Sequence, residues 1–433
     1  MTERPGRPGR PGGSGRWRRL TCALSLVPAA LAVFVSLAST AAAQIVTQRG
    51  FIDGSVQLFP QEALNDRTRA VGDLLARDEV FVKPAPWLQF AGGIDMRANT
   101  HDQVDDSWRV DLTDRTIRRP RVAGGRVSAT VNRGPLTVDA GKQFIRWGKT
   151  DIVTPTDRFA PRDFLNVIDA EFIAVVGVRG VVQIGDETLE GVWLPRFTPS
   201  RVPLLDQRWT AVTGQAAGIP LVDTGSTLPG GSQAGARWSH VGAGFEYSLS
   251  FFDGFNHLPN IEPAIQPAPL QVDVTRVYPS IRTYGGDAAV PTRWATIKGE
   301  AAYFSSSSSG TDEYVLYVVQ LERQSGEWAI VAGYAGEVVT KRRARLTFAP
   351  DRGLTKSILA RASYTIGPTR NVGFETAVRQ NGAGLYAKAE YSQARGAHWR
   401  ATVSGVVIAG EDDDFLGQYH RNSHVRAVLR YSF

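Results

Sequence analysis

A transmembrane antiparallel β-barrel, all-β and built from about 16 strands (roughly 14–18), is the fold class this sequence predicts. Three features point to it. The N-terminus carries an export signal, the rest of the chain alternates apolar and polar side chains with a period of two, and its connections are short and long in turn.

Residues 1–43 form the signal. Arg4, Arg7, Arg10, Arg16, Arg18 and Arg19 stand against one acid, Glu3, and an apolar run from Leu20 to Ala38 follows. Ser39-Thr40-Ala41-Ala42-Ala43 supplies the small residues of an A-x-A cleavage site, so the mature chain is expected to begin at Gln44. A transmembrane anchor is the competing reading, because the run approaches spanning length. Pro28 interrupts the run and no basic cluster follows it, which favours the signal. Arg18-Arg19 fits a twin-arginine signal in that pair alone, and Cys22 lies at the wrong end of the run for a lipoprotein site.

Loss of this segment changes the chemistry of what remains. Its six arginines and one glutamate hold five units of the +7 net charge, so the mature chain sits near +2 and offers no charge argument for a nucleic-acid partner. Cys22, the only cysteine, leaves too, so no disulfide or thiolate metal site is expected. No cofactor is expected either. Beyond the signal there is no long apolar helix, and only a closed barrel then satisfies the backbone inside a bilayer.

The period of two is clearest between Thr292 and Phe433, where eight segments of roughly ten residues alternate. The last puts Val425, Ala427, Leu429, Tyr431 and Phe433 on one face and His424, Arg426, Arg430 and Ser432 on the other. The preceding one sets Trp399, Ala401, Val403 and Val407 against Arg400, Thr402 and Ser404. An earlier one sets Ile297, Gly299, Ala301 and Tyr303 against Thr296, Lys298 and Glu300. The apolar stripes are rich in Ala, Gly and Val with aromatic residues near their ends, as a lipid-facing band between girdles requires. A soluble sandwich core would favour bulkier Ile, Leu and Phe.

Bacterial barrels have short periplasmic turns and longer outer loops. Counting back from Phe433, Gly396-Ala397, Gly367 to Arg370, Gln324 to Gly326 and Ala288 to Pro291 are tight, and Asn132 to Pro135 and Gly185 to Glu187 share their parity. The alternate connections are longer: Gly410 to Asn422, Thr340 to Arg352, Ser305 to Asp312, Phe255 to Leu270, Thr198 to Gln233 and Gly148 to Asp169; Gln380 to Ala383 is the short exception. This assigns residues 86–433 to the barrel. Residues 44–85 are expected to hold an extended stretch from Gln48 to Phe59 and a helix over Pro60 to Asp78, where Leu64, Thr68, Val71, Leu74 and Leu75 share one face. Such a helix is a candidate plug for the lumen or a surface helix.

The densest polar stretch follows Gly141. Lys142, Arg146, Lys149, Arg158 and Arg162 interleave with Asp151, Asp157 and Asp163. In a loop folded into a pore these eight residues would form a charged constriction; otherwise they would be a salt-bridge network that pins a long loop. Basic residues outnumber acidic ones, which suits an anionic solute. Glu411-Asp412-Asp413-Asp414 lacks the ordered spacing of a calcium loop and reads as a solvated loop. There is no H-E-x-x-H and no G-x-S-x-G, so neither a metal site nor an enzyme is expected.

Gly141-x-Gln143-x-x-x-Trp147-Gly148, then Pro155-Thr156-Asp157, Pro161-Arg162-Asp163 and Val192 to Ser200, resemble porin-like outer-membrane proteins of unassigned substrate, similar in style to alginate-export barrels. The resemblance runs over about Leu136 to Pro203. It implies an outer-membrane location in contact with lipid. The ending Tyr431-Ser432-Phe433 resembles the signal by which the barrel-assembly machinery recognises its clients. The charged inner stripes suggest a channel for small hydrophilic solutes. The competing expectations are a plugged carrier for hydrophobic molecules and a non-conducting anchor or interaction barrel.

Overall fold

Because successive side chains point to opposite faces of a strand, strands of this composition must find a wet side and an apolar side at once. A computed structural model, which describes residues 45–210, 219–343 and 349–433, shows how they do so. Eighteen antiparallel strands, each bonded to its neighbours in chain order, close into one barrel. They are β1 (Val46–Leu58), β2 (Ala70–Ala85), β3 (Leu88–Asn99), β4 (Val122–Arg133), β5 (Leu136–Gln143), β6 (Val175–Ile184), β7 (Glu187–Leu194), β8 (Gln233–Gly242) and β9 (Phe245–Phe255). The circuit continues with β10 (Ser280–Pro291), β11 (Thr296–Ser305), β12 (Glu313–Ser325), β13 (Trp328–Lys341), β14 (Ser357–Ile366), β15 (Arg370–Arg379), β16 (Gly384–Arg395), β17 (Trp399–Gly410) and β18 (His424–Ser432).

The ring closes where β18 meets β1, in register from Phe51↔Ser432 to Leu58↔Val425. Phe433 adds one rung beyond it: its N–H donates to the Gly50 carbonyl and its carbonyl accepts from the Gly50 N–H, both at 3.0 Å. The connections alternate as expected. Those at 86–87, 134–135, 185–186, 243–244, 292–295, 326–327, 367–369 and 396–398 are tight, and those at 100–121, 144–174, 195–232 and 256–279 on the other rim are long. The long ones build further structure: Leu221–Thr227, Leu270–Val277 and Asn260–Pro267 form a separate three-stranded sheet.

Two expectations are corrected. The barrel has 18 strands, not about 16: the sixteen from Leu88 onward match the expected barrel, and residues 44–85 contribute two more. The segment read as a helix over Pro60 to Asp78 is instead the loop 59–69 followed by β2. Its apolar residues fit a helical face, but between β1 and β3 that stretch has two open strand edges to satisfy. β2 pairs with β3 from Asp73↔Asn99 to Ala85↔Leu88, and the backbone ladder overrides the local period. A plug built from that helix is therefore absent from these residues. The signal segment 1–43, with Cys22 and the cleavage site after Ala43, lies outside the described residues.

The outer wall carries exposed Val56, Phe90, Val178, Leu249, Val319, Ile330, Phe374, Val403, Val407 and Leu429. An apolar belt on a closed barrel is the kind of surface that a bilayer would cover. Inside, Arg430 donates to Asp53 at 2.6 and 2.5 Å. The facing can be measured. Leu429→Arg puts a charge on the belt at a cost of about 2–4 kcal/mol near the midplane, whereas Arg430→Leu leaves Asp53 beside lumenal water. We expect Leu429→Arg to lose far more stability in a urea titration of the barrel in bilayers. Equal losses would contradict the assigned faces.

Candidate functional site

The loop 144–174 between β5 and β6 does not stand above the barrel; it runs down into it. Its departure is prepared by Gly141, whose φ of +122° breaks the alternation just before Lys142. A Cβ there would lie 2.2 Å from the Val127 carbonyl oxygen, so the bend needs glycine. Ile145, Trp147 and Phe159 then bury against the inward faces of Val192, Leu194, Phe252 and Phe304. The rings of Trp147 and Phe159 meet edge to face at 4.9 Å, and those of Phe159 and Phe252 at 5.0 Å. Contacts of this kind contribute about 0.5–1.5 kcal/mol each beyond their buried area. Gly235 on β8 makes the room, since a Cβ there would come within 2.8 Å of the Phe159 ring.

One carboxylate on the far wall fixes the loop at mid-strand depth. Glu300, in the middle of β11 and 3% exposed, accepts five hydrogen bonds from it. The N–H groups of Lys149 (2.8 Å), Thr150 (2.9 Å) and Thr156 (2.8 Å) donate, as do the hydroxyls of Thr150 (2.8 Å) and Thr156 (2.9 Å). Glu190 on β7 accepts from the Trp147 indole at 2.7 Å. Beyond this anchor, Val153 and Val167 pack with Val318, Ala335, Leu359, Ala377, Tyr386, Val406 and Ile408. The inward positions of β12–β17 are thus apolar where the loop lies on them, and charged elsewhere.

The eight residues singled out in the sequence separate into two groups. Five of them brace the loop. Lys142 is buried against Asp114. Asp163 receives Arg119 through two bonds (2.8 and 3.1 Å) and Arg201 at 3.2 Å, and Arg201 also reaches Asp114 at 2.6 Å. Burial alone would raise the Asp163 carboxyl, but the charges of Arg119 and Arg201 hold it well below the usual carboxylate range. Asp157 accepts the N–H groups of Trp147 and Gly148, both at 2.7 Å, and so closes a turn within the loop. Asp151 engages Gln320 and Lys298, and Lys149 pairs with Glu246 at 2.6 Å.

Three arginines remain under-committed. Arg146 lies 3.3 Å from the already engaged Asp157 and is 45% exposed. Arg158 stands 3.8 Å from Asp351, and its Nε is buried without a partner. Arg162 donates to the Thr154 hydroxyl at 3.0 Å, with no carboxylate in ion-pair reach among the described residues. The guanidinium groups of Arg146 and Arg162 both pack on the Phe172 ring, at 4.1 and 4.3 Å. Burial, and then the like charges of Arg146 and Arg158, lower the Arg162 pKa against the pull of Asp157 and Asp351; a guanidinium remains charged all the same. Arg158 and Arg162 line a lumenal cavity of about 370 Å³.

Sequence reasoning passed over Glu300, Gln320, Glu190, Asp114, Arg119 and Arg201. Glu300 was visible as one of many polar residues on an inward stripe, with nothing to single it out. The acidic run in the last outer loop is partly structural: Asp414 holds Arg379 at 2.7 Å.

No family model and no curated protein matches this sequence. Solved structures do match its fold. OccAB4 of Acinetobacter baumannii superimposes with a TM-score of 0.52 at 8% identity, over 90% of this chain and 98% of that one. A BenF-like porin from Pseudomonas fluorescens Pf-5 gives 0.51 at 9%, over 90% and 98%. The outer membrane protein OpdK of Pseudomonas aeruginosa gives 0.51 at 9%, over 90% and 99%. At such identities the likeness is one of fold.

Proposed function

We propose that this protein is a porin-like channel of the bacterial outer membrane that passes small hydrophilic anions, carboxylates above all, past its infolded loop. The fold it shares with a BenF-like porin and with OpdK supports the barrel as a conduit. The observation that carries the selectivity is the set of three arginines, Arg146, Arg158 and Arg162, whose donors are incompletely used beside the lumen. Guanidinium donors are arranged in a fork that matches a carboxylate. In a narrow passage even a few uncompensated charges make a strong field. The carrier for hydrophobic molecules loses its support with the N-terminal helix.

The reversal potential of single channels under a salt gradient tests the reading. Wild type is expected to prefer anions mildly, because most neighbouring charges are paired. The double variant Arg146→Glu with Arg162→Glu is expected to shift the potential toward cations while the barrel still assembles. A potential that does not move would assign these arginines to bracing the loop. An assembled barrel that passes no current would favour the anchor reading.

A further inference from the structure

Among the described residues, two neighbouring cavities inside the barrel share part of their lining. The larger, of about 370 Å³, borders the loop and the wall from β14 to β18, with Arg361, Glu375, Lys388, His424 and Arg426 among its lining. The smaller, of about 90 Å³, borders β1 to β3, with Asp53, Asp73, Arg97, Arg119, Glu171 and Arg208 among its lining. Their linings have three residues in common: Asn166, Asp169 and Arg426. One short turn of the loop and one side chain of β18 therefore stand at the boundary between the two spaces.

That turn is preformed. The Asn166 side-chain oxygen accepts the N–H groups of Ile168 (3.2 Å) and Asp169 (3.3 Å), the geometry by which an asparagine closes a turn on itself. Val167 and Ile168 rest on the apolar patch formed with Tyr386, Val406 and Ile408. Asp169 then meets the guanidinium of Arg426. Two residues later Glu171 takes Arg97 of β3 at 2.8 Å. Residues 166–171 thus form a strap along the inner wall, tied to β18 at one end and, three strands further round the ring, to β3 at the other.

Two of the loop's ties differ in kind. Asp163, with Arg119 and Arg201, is almost fully buried. Asp169 is 54% exposed, Arg426 is 30% exposed, and the Arg426 Nε finds no partner. An ion pair open to water contributes little, about 0–1 kcal/mol, so it can open without unfolding the loop behind it. Other charges that line the same two spaces include Lys388 from β16, Glu375 from β15, Arg361 from β14, His424 from β18, and Glu171, Arg97 and Arg119. Arg361 is already held by Glu375 at 2.7 Å and Lys388 by Glu390 at 3.1 Å, which leaves Asp169 and Arg426 to each other.

We propose that the Asp169–Arg426 ion pair is a latch: closed, it divides the lumen into two compartments; open, it joins them into one passage. The proposal rests on the channel reading above and adds the residues that set how wide the channel stands. It is tested on the full-length protein in planar bilayers with potassium chloride, each variant first checked for heat-modifiable, assembled barrel. Asp169→Asn and Arg426→Gln are each expected to raise single-channel conductance severalfold. The exchange of the two residues, Asp169→Arg with Arg426→Asp, is expected to return it to the wild-type level. Single variants that conduct like a conducting wild type would overturn the latch and leave the channel standing. Raised conductance that the exchange does not reverse would also overturn it, because the pair as such would not be the barrier. If the exchanged protein fails to assemble, the two single variants decide. Assembled barrels that are silent in every form would overturn the channel and the latch together.

Discussion

Replacement of Glu300 by alanine is expected to raise single-channel conductance severalfold, more than any change at the loop's own charged residues. One carboxylate receives three backbone N–H groups and two hydroxyls of the segment 149–156. No loop residue can substitute for it, because a backbone N–H can be satisfied only by an acceptor brought to it. Each buried donor left without its acceptor costs about 1–3 kcal/mol, so the segment gains by moving out to water and ceases to obstruct the lumen. Ile145, Trp147 and Phe159 keep the root of the loop in place, so the barrel should remain assembled and the effect should appear in the current alone. Glu300→Gln keeps one of the two acceptor oxygens and sets an NH2 donor against the loop donors of the other, and should lie between alanine and wild type. An alanine variant with wild-type conductance would mean that this loop does not set the width of the pore.

The largest loss of assembled protein is expected from deletion of Phe433, or from Tyr431→Asp. Phe433 makes the last rung of the seam through two backbone bonds to Gly50, and Tyr431 packs on the Trp399 ring at 4.9 Å on the outer wall. An unpaired strand edge in lipid leaves donors and acceptors with no water to turn to. We expect both variants to deplete heat-modifiable barrel in the outer membrane sharply. Refolding of purified chains into lipid vesicles separates the causes. Failure there as well assigns the defect to the seam; normal refolding assigns it to recognition of the terminal residues by the assembly machinery. Normal amounts of both variants in cells would refute the role of this end in closing the barrel.

From its sequence alone the chain determined the class of fold, the facing of the clearest strands after Thr292 and the rim on which most of the loops from Asn132 onward lie. These are properties of neighbours in the chain. Alternation at Val425 to Phe433 or Ile297 to Tyr303 reports the two sides of a wall directly, and a tight turn can join only adjacent antiparallel strands. What tertiary structure alone decided has a common cause, which is that the partner is distant in sequence. Pro60 to Asp78 carries a helical apolar period, and only the open edges of β1 and β3, both of which must be met for the ring to close, make its second half part of the strand Ala70–Ala85. Lys142 and Asp163 read equally as pore charges or as braces of a long loop until Asp114, Arg119 and Arg201, from two other loops, arrive to bury them. Glu300 is one acid among several on an inward stripe until residues 149–156, 144 or more positions earlier in the chain, turn their donors toward it. One trace of that encounter does stand in the sequence. Val315-Leu316-Tyr317-Val318-Val319 and Val406-Val407-Ile408 are apolar on both faces of their strands. An inward face without polar groups has to be covered, and here the infolded loop covers it. Alternation tells which side of the wall a residue takes, but what lies against the inner side depends on a loop whose path is set by contacts the local pattern does not contain.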